Sequence, residues 1–199
     1  MFVQICEGDV TDAELFRRQM DRWERELRPG ANGFLGATAG VTDNSYGVAF
    51  ARFESAAAAR ANSERPEQGD WWSETEKAFG GAPTFAEADG DDVELLLDGG
   101  SNAAGFVQLM RGTADRDRLH EMDEIFTKIA PTFRPDLIGG FRVWTGPNAY
   151  TDVAYFTSEA EAREAEKKEP PAEMAAAMDK FGDLMQGIEF LDLRDPWLY

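Results

Sequence analysis

The apolar positions of this chain change period several times, and each change marks an element. Residues 1–6 form a short apolar run suited to a buried strand. Leu15, Phe16, Met20, Trp23 and Leu27 follow at three- and four-residue spacing, one apolar stripe on a helix predicted over residues 12–27. Thr11 and Glu14 have the spacing of a capping box at its start, and Arg28-Pro29-Gly30 ends it. Residues 34–41 and 46–53 read as two strands joined by the turn Thr42-Asp43-Asn44-Ser45. In the second of them Tyr46, Val48 and Phe50 alternate with Gly47, Ala49 and Ala51, so large groups serve one face and small groups the other. Ser55 is placed to cap a short Ala-rich helix over 56–62. After a break at Arg65-Pro66, Asp70 is placed to cap a second helical piece that runs to Phe79. A closing strand is expected over 84–88, and 93–97 is an additional apolar strand.

The same order then returns. Phe2-Val3-Gln4 answers to Phe106-Val107-Gln108, Arg28-Pro29 to Arg134-Pro135, and Asn44-Ser45-Tyr46 to Asn148-Ala149-Tyr150. Val48-Ala49-Phe50 is matched to Val153-Ala154-Tyr155, and Phe53-Glu54-Ser55 to Phe156-Thr157-Ser158. A repeat of about 100 residues is too long for a solenoid and suits a duplicated domain. In the second half a strand is expected over 106–111 and a helix over 115–130. A hairpin follows over 137–157, then a helix broken at Pro170-Pro171, and a last strand over 188–194. Each half is β-α-β-β-α-β, which gives a four-stranded antiparallel sheet with both helices on one face, the ferredoxin-like arrangement. The second face of such a sheet needs cover. The expected fold is therefore α+β, two ferredoxin-like repeats packed sheet to sheet as an intramolecular dimeric α+β barrel. The first repeat is placed at residues 1–98, a linker at 99–105 and the second repeat at 106–199.

Composition narrows the partners. Acidic residues outnumber basic ones 38 to 20, for a formal charge of −18. Such a field repels phosphate backbones and anionic lipid, so neither nucleic acid nor membrane is expected as a partner. The chain has no apolar stretch long enough to span a bilayer and no signal-like segment at Met1, which makes a cytoplasmic location the expectation. The single cysteine, Cys6, ends an apolar run and reads as a buried thiol. Because duplication supplies internal pairing, a monomeric pseudo-dimer or a weak homo-oligomer is expected.

A tandem β-α-β-β-α-β chain with a divided second helix in each half resembles the dimeric α+β barrel superfamily. Its best-known branch is the antibiotic-biosynthesis-monooxygenase-like domain. Members include cofactor-independent monooxygenases of polycyclic aromatics, haem-degrading enzymes, isomerases and chlorite dismutases, so the fold alone does not select an activity. In the monooxygenase and haem-degrading members the site lies between the sheet and the second helix of one unit, using an Asn on the first strand and a Trp on that helix. Here the first strand offers Gln4 and the helix offers Trp71 and Trp72. The second half offers Gln108 but Ala176 and Ala177 near the Trp positions, so the resemblance points to the first half. Haem-binding members also need an axial histidine. The only one in this chain, His120, sits early in the first helix of the second half, and no haem or other cofactor is expected.

The residues themselves single out the stretch from Asn62 to Trp72. It gathers Arg65, Gln68, Trp71 and Trp72 around a helix break. As a pocket rim, the tryptophans would be aromatic walls and Arg65 or Gln68 would fix a polar ligand group, such as the oxygen of a phenolate. As plain structure, the same residues would cap the break and cover a loop. The ligand-binding candidates are Gln4, Arg65, Gln68, Trp71 and Trp72, and no catalytic residue is nominated. Asn44 with Tyr46, and Asn148 with Tyr150, suit hairpin turns and strand starts. No zinc-ligand spacing, nucleophile–His–acid set, phosphate loop or dinucleotide fingerprint is present. Two readings follow. One is a barrel protein that binds a small aromatic or apolar molecule and acts on it as a cofactor-independent monooxygenase. The other is a non-catalytic structural or interaction module with filled pockets.

Overall fold

The computed structural model describes residues 1–97 and 99–199; Asp98, where the first repeat was expected to end, lies outside them. The chain divides into two compact units, Met1–Val93 with Asp195–Tyr199, and Glu94–Arg194.

The first unit holds strands β1 (Phe2–Asp9), β2 (Phe34–Val41), β3 (Tyr46–Phe53) and β4 (Thr84–Asp89) and helices α1 (Ala13–Arg22), α2 (Ala56–Ser63) and α3 (Pro66–Thr75). The second holds β5 (Val93–Leu96, Val93 itself falling in the first unit), β6 (Phe106–Thr113), α4 (Arg116–Phe133), β7 (Leu137–Trp144), β8 (Ala149–Phe156), α5 (Glu159–Ala165), α6 (Ala172–Phe181) and β9 (Glu189–Leu193). A final strand, β10 (Trp197–Leu198), belongs to the first. The sheets run β10-β2-β3-β1-β4 and β5-β7-β8-β6-β9. Among the described residues these are two separate sheets and not one closed barrel. Each ladder of hydrogen bonds stops at an edge strand. The additional strand after β4 joins the second sheet beside β7, and the one after β9 joins the first beside β2, so the two repeats trade their fifth strands.

The period-2 alternation assigns the faces. In the first unit Phe2, Cys6, Ala49, Ala51 and Phe53 face the helices. Val3, Ile5, Val48 and Phe50 face the other way and are buried too. The small face of β3 therefore lies under the helices and the large face opposite. Gly36 stands at a register shift in β2 with φ +147°, and a Cβ there would meet Arg52 and the Tyr199 carbonyl.

Local chemistry departs from expectation at four places. Asp12, not Thr11, caps α1, accepting from the Leu15 amide at 2.8 Å, while the Thr11 hydroxyl donates to the Ala78 carbonyl. The apolar stripe does reach Leu27, but α-helical bonding ends at Arg22 and residues Trp23–Leu27 form one π-helical turn. Asp70 caps nothing. The second helix piece starts at Pro66, whose missing N–H suits a first turn, and Arg65 before it is extended. Finally, pairing of Phe2 with Phe53 and of Phe106 with Phe156 places Phe50 level with Val153, so the sequence match of Val48-Ala49-Phe50 to Val153-Ala154-Tyr155 is two residues out of register.

Candidate functional site

A cavity of about 310 Å³ lies between the sheet and the helices of the first unit. Its floor is made by the small face of the sheet, Ala37, Ala49 and Ala51, with Gln4 and Cys6 beside them on β1. Side chains this short leave a void where larger ones would meet the helices. Phe16 and Met20 of α1 form one wall. Trp23 joins them, at the start of the π-helical turn. The break between α2 and α3 forms the roof, with Asn62, Gln68, Trp71 and Trp72. Phe85 on β4 is 55% exposed and packs edge-on against Trp72, ring centroids 5.2 Å apart, marking where the cavity meets solvent.

Four of the five sequence candidates thus line one cavity: Gln4, Gln68, Trp71 and Trp72. Arg65 stands outside it. Its Nη1 donates to the Leu27 carbonyl at 3.0 Å and to Asn62 Oδ1 at 2.9 Å, and its Nε donates to Glu67 at 3.0 Å. It ties the helix break to the end of the π-helical turn, which leaves no guanidinium facing a ligand oxygen. The adjacent tryptophans divide the work. Trp71 is buried, and its indole N–H donates to the Gln19 carbonyl at 2.7 Å; Trp72 is half-buried between Trp71, Phe79 and Phe85.

Two lining residues that were not among the candidates, Trp23 and Asn62, shape its polar side. Trp23 was read only as part of a core stripe, yet its Nε1 donates to Gln68 Oε1 at 2.8 Å. Asn62 sits one helical turn after Ala59 on the buried face of α2, and it is only 6% exposed. An amide on the apolar side of a short helix was the available signal. No acidic, basic or histidine side chain lines the cavity among the described residues, and the one ionisable group, the Cys6 thiol, is pushed up to about 12 by burial, with Glu7 adding to the rise.

The second unit treats the equivalent cleft differently. Register places Arg142 where Ala39 stands, Asp152 where Ala49 stands and Gln108 where Gln4 stands. Counting from the caps Asp12 and Asp115, Asp123 takes the place of Met20. Arg142 is 1% exposed. Its Nε and Nη2 donate to Asp152 at 2.6 and 2.9 Å, and its Nη1 and Nη2 to Asp123 at 2.5 and 3.3 Å. Glu94 completes the network, accepting from Trp144 Nε1 at 2.7 Å and lying 2.9 Å from His120 Nε2. Gln108 is engaged by Asp192 at 2.8 Å. Burial raises the Asp152 carboxyl to about 6; Arg142 pulls it down, and Asp123 and Glu94 push it further up. The carboxylates around Arg142 hold its guanidinium above the usual value. Among the described residues, His120 and this network belong to the second unit, remote in sequence from the aromatic cavity.

No protein-family description matches the chain, and no curated protein matches it. Solved structures do superpose on it. A candidate monooxygenase from Lactobacillus acidophilus NCFM gives a TM-score of 0.73 at 10% identity, over 100% of this chain and 98% of that one. A second candidate monooxygenase, from Fusobacterium nucleatum subsp. nucleatum, gives 0.73 at 13% identity over 96% and 90%. The chain shares their tandem ferredoxin-like fold. An anthrone oxidase-like protein also has it, with a TM-score of 0.60 at 8% identity over 99% and 92%. At such identities the tandem fold is what is shared, and the site is argued from its own residues. Among the described residues no helix is long and apolar enough to cross a membrane, and no group of three or more His, Cys, Asp or Glu is placed to hold a metal.

Proposed function

We propose that the chain binds a small aromatic molecule in the cavity of the first unit. The observation that carries this reading is the cavity itself: about 310 Å³, aromatic on its walls and roof, small-residue on its floor, with three amides and no ionised group on its lining. Ligand sites typically run from about 300 to 1,000 Å³ and combine apolar walls with a few polar groups, so this one suits a compound of two or three fused rings. Three tryptophans, Trp23, Trp71 and Trp72, would stack on or edge against such a ligand. As a cofactor-independent oxygenase, the chain would hold an electron-rich substrate away from water while oxygen reacts with it. No lining group is suited to act as the base, so the proton that the substrate gives up would have to pass to water at the mouth beside Phe85.

The second reading, a module with filled pockets, is favoured by one observation for the second unit, where Arg142, Asp123 and Asp152 occupy the cleft. Titration with fluorene, followed by tryptophan fluorescence and calorimetry, separates the two. Saturable quenching is expected in the wild type. It should weaken in Trp72→Ala and disappear in Ala49→Leu, whose added side chain rises from the floor into the void. Binding by Ala49→Leu equal to wild type, or no binding by either, removes the cavity as the site.

A further inference from the structure

Two of the amides lining the cavity have their orientation set by partners that can only donate. Asn62 Oδ1 accepts from Arg65 Nη1 at 2.9 Å, and Gln68 Oε1 accepts from Trp23 Nε1 at 2.8 Å. A guanidinium and an indole N–H have no acceptor to offer, so in each amide the oxygen is bound to face its partner and the NH2 is the end left over. Among the described residues neither NH2 group has a hydrogen-bond partner, and both residues line the cavity. Neither NH2 group is sealed from solvent, so both donors stay open to an acceptor, and a ligand oxygen that enters between the apolar walls can take the place of water on them. Charge points the same way. No ionised side chain lines the cavity to offset a carboxylate or phenolate, and the chain's net charge of −18 opposes an incoming anion.

Resting on the binding reading above, we infer that Asn62 and Gln68 are specificity-determining residues that select an uncharged planar aromatic ligand through an acceptor oxygen, with Arg65 and Trp23 as the positioning residues that turn both amides donor-inward. A ketone oxygen, with two lone pairs, can accept from both. Arg65 thus acts on the ligand without touching it. This replaces the sequence expectation that it would bind a phenolate directly.

The test uses three matched probes on the full chain: 9-fluorenone, fluorene, and fluorene-9-carboxylate, each titrated by calorimetry at pH 8. Fluorenone is expected to bind about tenfold more tightly than fluorene, the scale of a neutral hydrogen bond, and the carboxylate more weakly than both. In Gln68→Glu one carboxylate oxygen still accepts from Trp23, but the other turns an acceptor toward the ligand. Fluorenone should then weaken about tenfold while fluorene stays within about threefold. Affinity for fluorenone should return as the pH is lowered and the new carboxyl gains a proton to donate. Asn62→Asp, which keeps the Arg65 contact, is the second variant. Equal binding of fluorenone and fluorene by the wild type, or tighter binding of the carboxylate, overturns the inference while leaving the cavity as a binding site. A pH-independent loss for both neutral probes in the variants also overturns it, as the mark of a structural role. If none of the probes binds, the inference and the binding reading both fall.

Discussion

Arg142→Ala tests the physical account of the filled cleft most directly. The guanidinium is almost wholly buried and bonds both Asp152 and Asp123 in fork geometry. Removing it strands Asp152, itself buried, beside Asp123 and Glu94. Breaking a buried pair by deleting one partner costs about 3–5 kcal/mol, mostly from the charge left behind. For a unit of this size each kcal/mol shifts the midpoint by about 4–8 °C, so the second unit's thermal transition should fall by roughly 12–40 °C. The double variant Arg142→Ala/Asp152→Ala installs the alanine pair that the first unit carries as Ala39 and Ala49. It should recover at least half of the loss, because the most deeply buried carboxylate is then gone and only the partly exposed Asp123 lacks its partner.

The pH dependence supplies an independent check. Asp152 is raised in the folded protein, so the native state holds its proton in a range where the unfolded chain has released it. Stability from this source is present at low pH and is lost as pH rises from the usual aspartate value through about 6. Without Arg142 the carboxyl rises further, so the gap between wild type and Arg142→Ala should be widest above pH 7 and narrow below pH 6. Calorimetric melts across that range make the comparison. A cost under about 1 kcal/mol, far below that expected for a broken buried pair, a double variant no more stable than the single, or a gap that ignores pH would each refute the reasoning.

Two further outcomes follow from the first unit. Arg65→Met should destabilise it by about 2 kcal/mol, since the Leu27 carbonyl and Asn62 Oδ1 both lose a charged donor; urea melts measure this, and a neutral result would mean that the break holds without its tie. Cys6, its thiol pushed up to about 12, should resist iodoacetamide at pH 8 in the native protein and label rapidly in urea; fast native labelling would show that the cavity floor is open to solvent and not buried.

How much of this was legible depended on whether the deciding contact was local. The duplication, the order of elements along the chain and the small face of β3 followed from periodicity, and the small face proved to be the cavity floor; the place of the fifth strand in each sheet did not. Ser55 caps its helix, as short polar residues before apolar runs do. The π-helical turn at Trp23 left no trace in the spacing, because the apolar stripe runs through it to Leu27 unbroken. Arg65 was read as a ligand group since an arginine beside two tryptophans suggests a rim; its true target is a carbonyl 38 residues earlier, invisible to local pattern. Arg142 and Asp152 were missed for the opposite reason. A polar residue alternating with apolar ones in a strand reads as solvent-facing, and that rule fails when helices cover the polar face.

The contrast between the two clefts turns on three positions. Met20, Ala39 and Ala49 in the first unit give way to Asp123, Arg142 and Asp152 at the same places in the second. One arginine replaces an alanine, and it donates four hydrogen bonds to Asp152 and Asp123 and a longer fifth to Glu94, fixing carboxylates that would otherwise be costly where they stand. Apolar side chains would have closed the cleft with less desolvation, so the charged filling argues that geometry, and not stability alone, is held there. In the first unit the corresponding positions are too small or too flexible to reach across. The void that remains is bounded by two amides whose oxygens are held by Trp23 in its wall and by Arg65 outside it. Duplication makes this division feasible: one copy of the fold fills its cleft with an ion network, while the other leaves its sheet floor bare, which is what the proposed binding requires.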